Sequence, residues 1–227
     1  MKNLAVFLVL LFFAVSCAGP AGETGPAGID GKPGFVTVFQ YEISPDAYYD
    51  GVFDTFITST APYSNAGNAS SSYCGNFGGQ KYRVLTRFDT TDIPEGASVI
   101  RAELELSSEI YSYNAGATIT AYAVTKTWAE SEASWISRTA SEVWTSPGGD
   151  YGAALAEPGF LADNNSKVKL VLDKSVVQGW ISNPSQNYGV LIRAANETMD
   201  TLTTIVHSDN PTFPSMAQKL TVYYTLP

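Results

Sequence analysis

The chain has one histidine, His207, set in Thr204-Ile205-Val206-His207-Ser208-Asp209, which invites comparison with a nucleophilic triad. Triad members must converge through directed hydrogen bonds, whereas neighbours on a strand point to opposite faces, so Ser208 and Asp209 cannot serve His207 by adjacency. His207 is read as structural. Glu103 and Glu105 share one face of an alternating stretch, about 7 Å apart, a spacing that glycosidase carboxylates also use. A solvated sheet face is the simpler reading of the same pattern. Asp46, Asp50 and Asp54 recur every four residues but lack the glycine turn and closing glutamate of a helical calcium loop. Structural calcium held partly by backbone oxygens stays open; no other cofactor is expected. There is no phosphate loop, paired-histidine metal motif or nucleotide fingerprint, and the chain is read as a non-enzyme.

The aromatic residues say more. A sugar presents a weakly polar C–H face that stacks on a ring, while nearby polar groups satisfy its hydroxyls. Tyr73, Phe77, Tyr111, Tyr113 and Trp144 fall in expected loops or strand ends and form the candidate ligand-binding set. Tyr63 and Tyr151 share that setting, whereas Trp128, Trp135 and Trp180 are assigned to the core. Arg83 and Arg87 lie on the strand face opposite Val84 and Phe88. They could hold acidic groups, but pairing with Glu103 or Glu105 across strands is expected.

Composition bounds the partners. The formal charge of −9 argues against nucleic acid, which is bound through Lys and Arg and the counterions they release, and it disfavours polyanionic glycans. With 44% hydrophobic and 15% charged residues, 227 residues suffice for one full core. Of two cysteines, Cys74 has no nearby His or second Cys to activate it or complete a metal site, and it is read as a bystander.

The elements that must position these residues read as β. Residues 83–106 organise the chain: Val84, Thr86 and Phe88 share one face, and Ile100, Ala102, Leu104 and Leu106 alternate with Arg101, Glu103 and Glu105. Between them, Ile93-Pro94-Glu95-Gly96 is turn chemistry. Further strands are expected at residues 35–41, 54–59, 117–124, 168–172, 188–194, 203–208 and 219–225. Residues 61–79, rich in Ser, Asn and Gly, read as a long loop, and residues 137–165 as a polar crossing. Asp173 can cap a short helix near 174–182, with Val176, Val177, Trp180 and Ile181 on one face and Asn183-Pro184 closing it.

The first 34 residues differ in kind. Lys2, an apolar run from Leu4 to Val15, and small residues before Cys17 read as an export signal, and Ala14-Val15-Ser16-Cys17 resembles a bacterial lipobox. Residues 1–16 are then the signal peptide and Cys17 the lipidation site, which places the protein in the bacterial cell envelope, lipid-anchored at the outer membrane or cell surface. Glycine falls at 19, 22, 25, 28, 31 and 34, so residues 17–34 form a collagen-like spacer. Extended, it reaches about 50 Å; a homotrimer through it is the alternative use. Residues 35–227 form the folded domain.

Several separated motifs carry a family resemblance: Arg83-Val84-Leu85-Thr86-Arg87-Phe88-Asp89, Ile93-Pro94-Glu95-Gly96-Ala97, Trp128-Ala129-Glu130 with Trp135, Val177-Gln178-Gly179-Trp180, Asn187-Tyr188-Gly189-Val190-Leu191-Ile192 and Lys219-Leu220-Thr221-Val222-Tyr223-Tyr224. In this order they resemble the DNRLRE domain of secreted bacterial and archaeal proteins. The resemblance implies an all-β jelly-roll sandwich of antiparallel strands and a carbohydrate-binding role without catalytic residues. Polysaccharide or surface glycan is the expected partner. A structural or adhesive surface protein, binding other proteins or itself, is the alternative.

Overall fold

The computed structural model describes residues 34–109 and 116–227. The signal, Cys17, nearly all of the spacer, Tyr111 and Tyr113 lie outside the described residues. Among the described residues the strands are β1 (Gly34–Phe39), β2 (Val52–Thr58), β3 (Ser71–Phe77), β4 (Gln80–Phe88), β5 (Ser98–Ser107), β6 (Ala117–Val124), β7 (Tyr151–Ala154), β8 (Gly159–Leu161), β9 (Lys167–Leu172), β10 (Val190–Ala194), β11 (Thr201–Val206) and β12 (Lys219–Thr225), with one α-helix, α1 (Lys174–Ser182).

Two antiparallel sheets make a sandwich, as the sequence leads one to expect. The smaller has the order β1-β12-β5-β9. In the larger, β11-β3-β4-β10-β6-β7, β2 takes the second edge of β4, and β8 joins β6 beside β7. β3 and β10 divide one edge of β4: Gly75 pairs with Tyr82, and Val190 with Thr86. That split makes the sheet curl. The β3–β4 hairpin turns on Gly78 and Gly79, both at positive φ, the backbone a two-residue hairpin requires.

The inner faces bury Val84, Phe88, Leu104, Leu106, Ile192, Leu220 and Val222 in one core. Each such side chain contributes about 1.5–3 kcal/mol on leaving water. The alternation in β5 holds for Ala102, Leu104 and Leu106 but fails at Ile100. A register shift opposite Tyr223 and Tyr224 makes Ile100 the bulged residue, so Val99 enters the core instead.

The large sheet is covered on its outer face too. Residues 125–150 fold back over it and bury Trp128, Trp135 and Trp144 against Ile57, Leu85 and Leu191. Strands enclosed on both faces need apolar residues on both, which accounts for the nearly unbroken Val84-Leu85 and Val190-Leu191-Ile192. Helix α1 forms as its pattern predicts: the Ser175 N–H donates to Asp173 Oδ1 at 2.8 Å, and Val177, Trp180 and Ile181 are buried. Such a cap contributes about 1 kcal/mol.

Two expectations need correction. Residues 61–79 are not all loop, because β3 lies within them. Cys74 therefore sits inside a sheet, fully buried, with Sγ 3.7 Å from the Ile192 carbonyl, where it cannot reach another chain; burial pushes its thiol pKa up. The crossing at 137–165 contains β7 and β8, short strands that add to the edge of β6.

Candidate functional site

Of the five aromatics chosen from the sequence, Tyr111 and Tyr113 lie outside the described residues, and the other three differ in exposure. Trp144 is buried beneath the outer cover, its indole N–H donating to the Ser134 carbonyl at 2.9 Å, so it belongs to packing. Phe77 is exposed at the tip of the β3–β4 hairpin, and Tyr73 makes an edge contact with Tyr82 at 5.8 Å. Both lie where β4 begins. Tyr63 is exposed and Tyr151 part-buried. Trp128, Trp135 and Trp180 are buried, as expected.

The arginines also depart from expectation. Neither pairs with Glu103 or Glu105. Those two carboxylates face outward on β5 but are enclosed by cations: Glu103 meets Arg101 at 2.6 Å, and Glu105 meets Lys167 and Lys219 at 3.0 Å each. Burial would raise the Glu105 carboxyl, but hydrogen bonds from Lys219 and Lys167 outweigh it and hold the group below its usual range. The pair is a neutralised ladder across neighbouring strands.

Arg83 instead turns into the outer cover. It forms a bidentate pair with Glu197, Nε–Oε1 and Nη2–Oε2 both 2.7 Å, and donates from Nη1 to the Gly148 carbonyl. Arg193 reaches the same Glu197 at 2.9 Å. Burial would raise Glu197, but these two guanidinium groups hold its carboxyl below the ordinary value.

Four residues further along β4, Arg87 has no such partner. Register pairs it with Phe53 of β2, whose ring lies 4.5 Å from the guanidinium carbon; Trp128 lies 5.6 Å away. Among the described residues its guanidinium makes no hydrogen bond or ion pair. Burial pulls Arg87 below its usual pKa while Glu130 and Asp89 pull the other way, and it stays charged. The group opens into a cleft of about 390 Å³ where β4 ends, bordered by Thr90, Thr91, Ser185 and Tyr188.

The walls are fixed by side-chain bonds to backbone carbonyls. Trp128 Nε1 donates to the Tyr188 carbonyl at 2.9 Å, and Asn187 Nδ2 to the Phe88 carbonyl at 2.8 Å. Gly189 has φ +76°, and a Cβ there would fall 2.2 Å from the Thr86 carbonyl, so this approach of loop to strand requires glycine. Thr90 is buried at the cleft, its hydroxyl without a partner among the described residues. The cleft thus offers a held guanidinium, a ring, the Thr91 and Tyr188 hydroxyls and the Asp89 carboxylate, groups of the kind that meet a sugar and its substituents. From the sequence, Arg87 was visible as an outward cation; its pairing with Phe53 was not, because that contact depends on which strand adds to β4.

His207 is contacted by residues far from it in sequence. Its Nε2 lies 2.7 Å from Ser72 Oγ and its Nδ1 3.0 Å from Asp54 Oδ1, the latter without the alignment of a full hydrogen bond. Asp54 Oδ2 accepts the Ser208 N–H. The three side chains are buried, so the arrangement ties β2, β3 and the end of β11 together, and Ser208 and Asp209 supply no side chain to it. Among the described residues no group of three or more His, Cys, Asp and Glu side chains is arranged to hold a metal.

Residues 45–147 match the model of carbohydrate-binding module family 96. The match spans less than half of the chain. It includes Phe53, Arg87, Thr90 and Trp128, and leaves out Tyr188 and Glu197. No curated protein matches the chain. The matched stretch, which contains β2 to β6 and the tryptophan cover, is similar to a carbohydrate-binding module.

Proposed function

We propose that this protein is a non-catalytic, DNRLRE-type jelly-roll module that binds polysaccharide in the cleft around Arg87. The observation that carries the proposal is a part-buried guanidinium, stacked on Phe53, that spends none of its donors on the described residues. A planar fork of donors matches a carboxylate or sulfate in bidentate geometry, so an acidic sugar is the preferred occupant. Exposed charges beyond about 8 Å are largely screened at physiological salt, so the charges that meet the occupant are local ones: Arg87, with the carboxylates of Asp89 on the cleft wall and Glu130 nearby. The match to a carbohydrate-binding module supports the same reading.

The full mature protein would be run in native gels containing polygalacturonate, alginate, hyaluronate or a sulfated galactan, with starch and xylan as neutral controls. Retardation by an acidic polymer, lost in Arg87→Ala and weakened by salt, is expected. Equal retardation of the wild type and Arg87→Ala would remove the cleft from the reading. Release of reducing sugar on long incubation would overturn the non-catalytic assignment. The reading requires no cofactor.

The wider setting rests on the sequence: Cys17 carries the lipid and residues 17–34 hold the module away from the membrane surface. Labelled palmitate incorporated by the wild type and absent from Cys17→Ser tests the anchor. Sedimentation with and without residues 18–34 tests the homotrimer.

A further inference from the structure

A second cleft, of about 490 Å³, opens beside the first. It is bordered by Thr125, Lys126, Thr145, Ser146 and Tyr151, whereas Thr127 borders the Arg87 cleft. One strap of three residues at the exit of β6 therefore separates the two. Its position is fixed from both sides: Val124 N–H donates to the Gly189 carbonyl at 3.1 Å and Thr125 N–H to the Asp150 carbonyl at 3.0 Å. Both clefts lie at the end of the large sheet where β4 and β6 finish and β7 and β10 begin.

The second cleft has its own recognition groups. The Tyr151 ring is held against Tyr122 at 5.1 Å, with Arg83 and Arg193 each 5.4 Å from it. Asp150 also borders it: burial would raise its carboxyl, but the Thr145 and Ser146 N–H groups, at 2.9 and 3.1 Å, and the nearby Lys126 hold it below the usual range, so a fixed negative charge lies beside Lys126. The exposed Lys126 ammonium supplies a cation, and the Thr125, Thr145 and Ser146 hydroxyls supply polar contacts.

We infer that the two clefts are adjoining subsites for one acidic polysaccharide, which crosses the Thr125–Thr127 strap and is held by its interior, with one charged sugar at Arg87 and the next segment against Tyr151 and Lys126. This rests on the reading of the Arg87 cleft as a glycan site. A protein with a single cleft would bind a short oligomer as well as a long one; one with adjoining subsites gains affinity with length until both are filled, because the second contact is intramolecular.

The full chain would be titrated calorimetrically with galacturonate oligomers of one to eight residues, or with oligomers of whichever uronate the gels retain. Affinity is expected to rise with length and then level. Lys126 is exposed, so Lys126→Ala should keep the wild-type melting temperature. It should lower affinity for the longest oligomers about fivefold, the range of an exposed charge contact, and leave the shortest unchanged. Lys126→Glu should do so more strongly. Arg87→Ala should weaken every length. If Lys126→Ala and Lys126→Glu match the wild type at all lengths while Arg87→Ala weakens binding, the second subsite is wrong and the first stands. If Arg87→Ala is also silent, or no acidic oligomer binds, both are overturned.

Discussion

Arg83 and Arg87 occupy the same face of the same strand, each beside an aromatic ring, yet they have opposite fates. Arg83 is enclosed by Trp135 and Tyr151, and its donors are taken by Glu197 and the Gly148 carbonyl. Arg87, against Phe53 and Trp128, spends no donor on the described residues. The difference arises in the outer cover. At the level of Arg83 the cover passes directly over the strand and brings the Gly148 carbonyl; where β4 ends, the segment 184–188 is tied to the strand through Asn187 but brings no acceptor to the Arg87 guanidinium, and a cleft remains. A satisfied cation holds structure, whereas an unsatisfied one is available to a ligand.

The largest test of this contrast is Arg83→Ala. It leaves Glu197 buried with Arg193 alone, and removal of one partner from a buried pair costs about 3 kcal/mol. Urea denaturation should show that loss, while Arg87→Ala should shift the midpoint by less than about 1 kcal/mol. Binding should reverse the order: Arg87→Ala forfeits a charged hydrogen-bond contact worth about 1.5–3 kcal/mol, at least a tenfold loss in affinity by gel retardation. An Arg87→Ala protein as unstable as Arg83→Ala would end the distinction.

Acid should sharpen it. The Glu197 carboxyl in the folded protein lies below its ordinary value of 4.5. Its contribution to stability is therefore complete above pH 4.5 and is lost as pH falls through the depressed folded value. Denaturation midpoints should fall more steeply below pH 4.5 in the wild type than in Arg83→Ala. Glu130, beside Arg87, has the opposite sign. Burial, with Asp54 and Asp209 nearby, raises its carboxyl, so its contribution is complete below its ordinary value and declines as pH rises through the folded value. Glu130→Gln keeps an acceptor for the Asp54 N–H and should gain a few tenths of a kcal/mol at pH 7, the smallest of these effects.

The sandwich, helix α1 and the core face of β5 could be read from local pattern, because period-two alternation and an Asp173 cap are written within a few residues. What escaped is non-local. β3 reads Ser-Ser-Tyr-Cys-Gly-Asn-Phe and lacks a strand's apolar rhythm; it is a strand because β11 and β4 supply its ladder and His207 meets Ser72. Trp144 resembled a loop aromatic because nothing in its neighbours reveals that the loop doubles back onto the sheet. Arg87 reads as an outward cation, but the β5 carboxylates that the pattern offers it face away from it. The tryptophans expected in the core are buried, but most of them fill the outer cover.

The first and last strands of the domain are ladder neighbours, with Gly34 opposite Thr225 and Thr225 opposite Ser98. Chain entry and exit thus meet at the end of the sandwich from which residues 89–97 cross between the sheets. A unit with adjacent ends can be spliced into a loop of a host protein or circularly permuted with its ladders intact. In either arrangement the host would join the module on the side where the cleft begins, so that a captured glycan would be delivered to whatever the module is attached to.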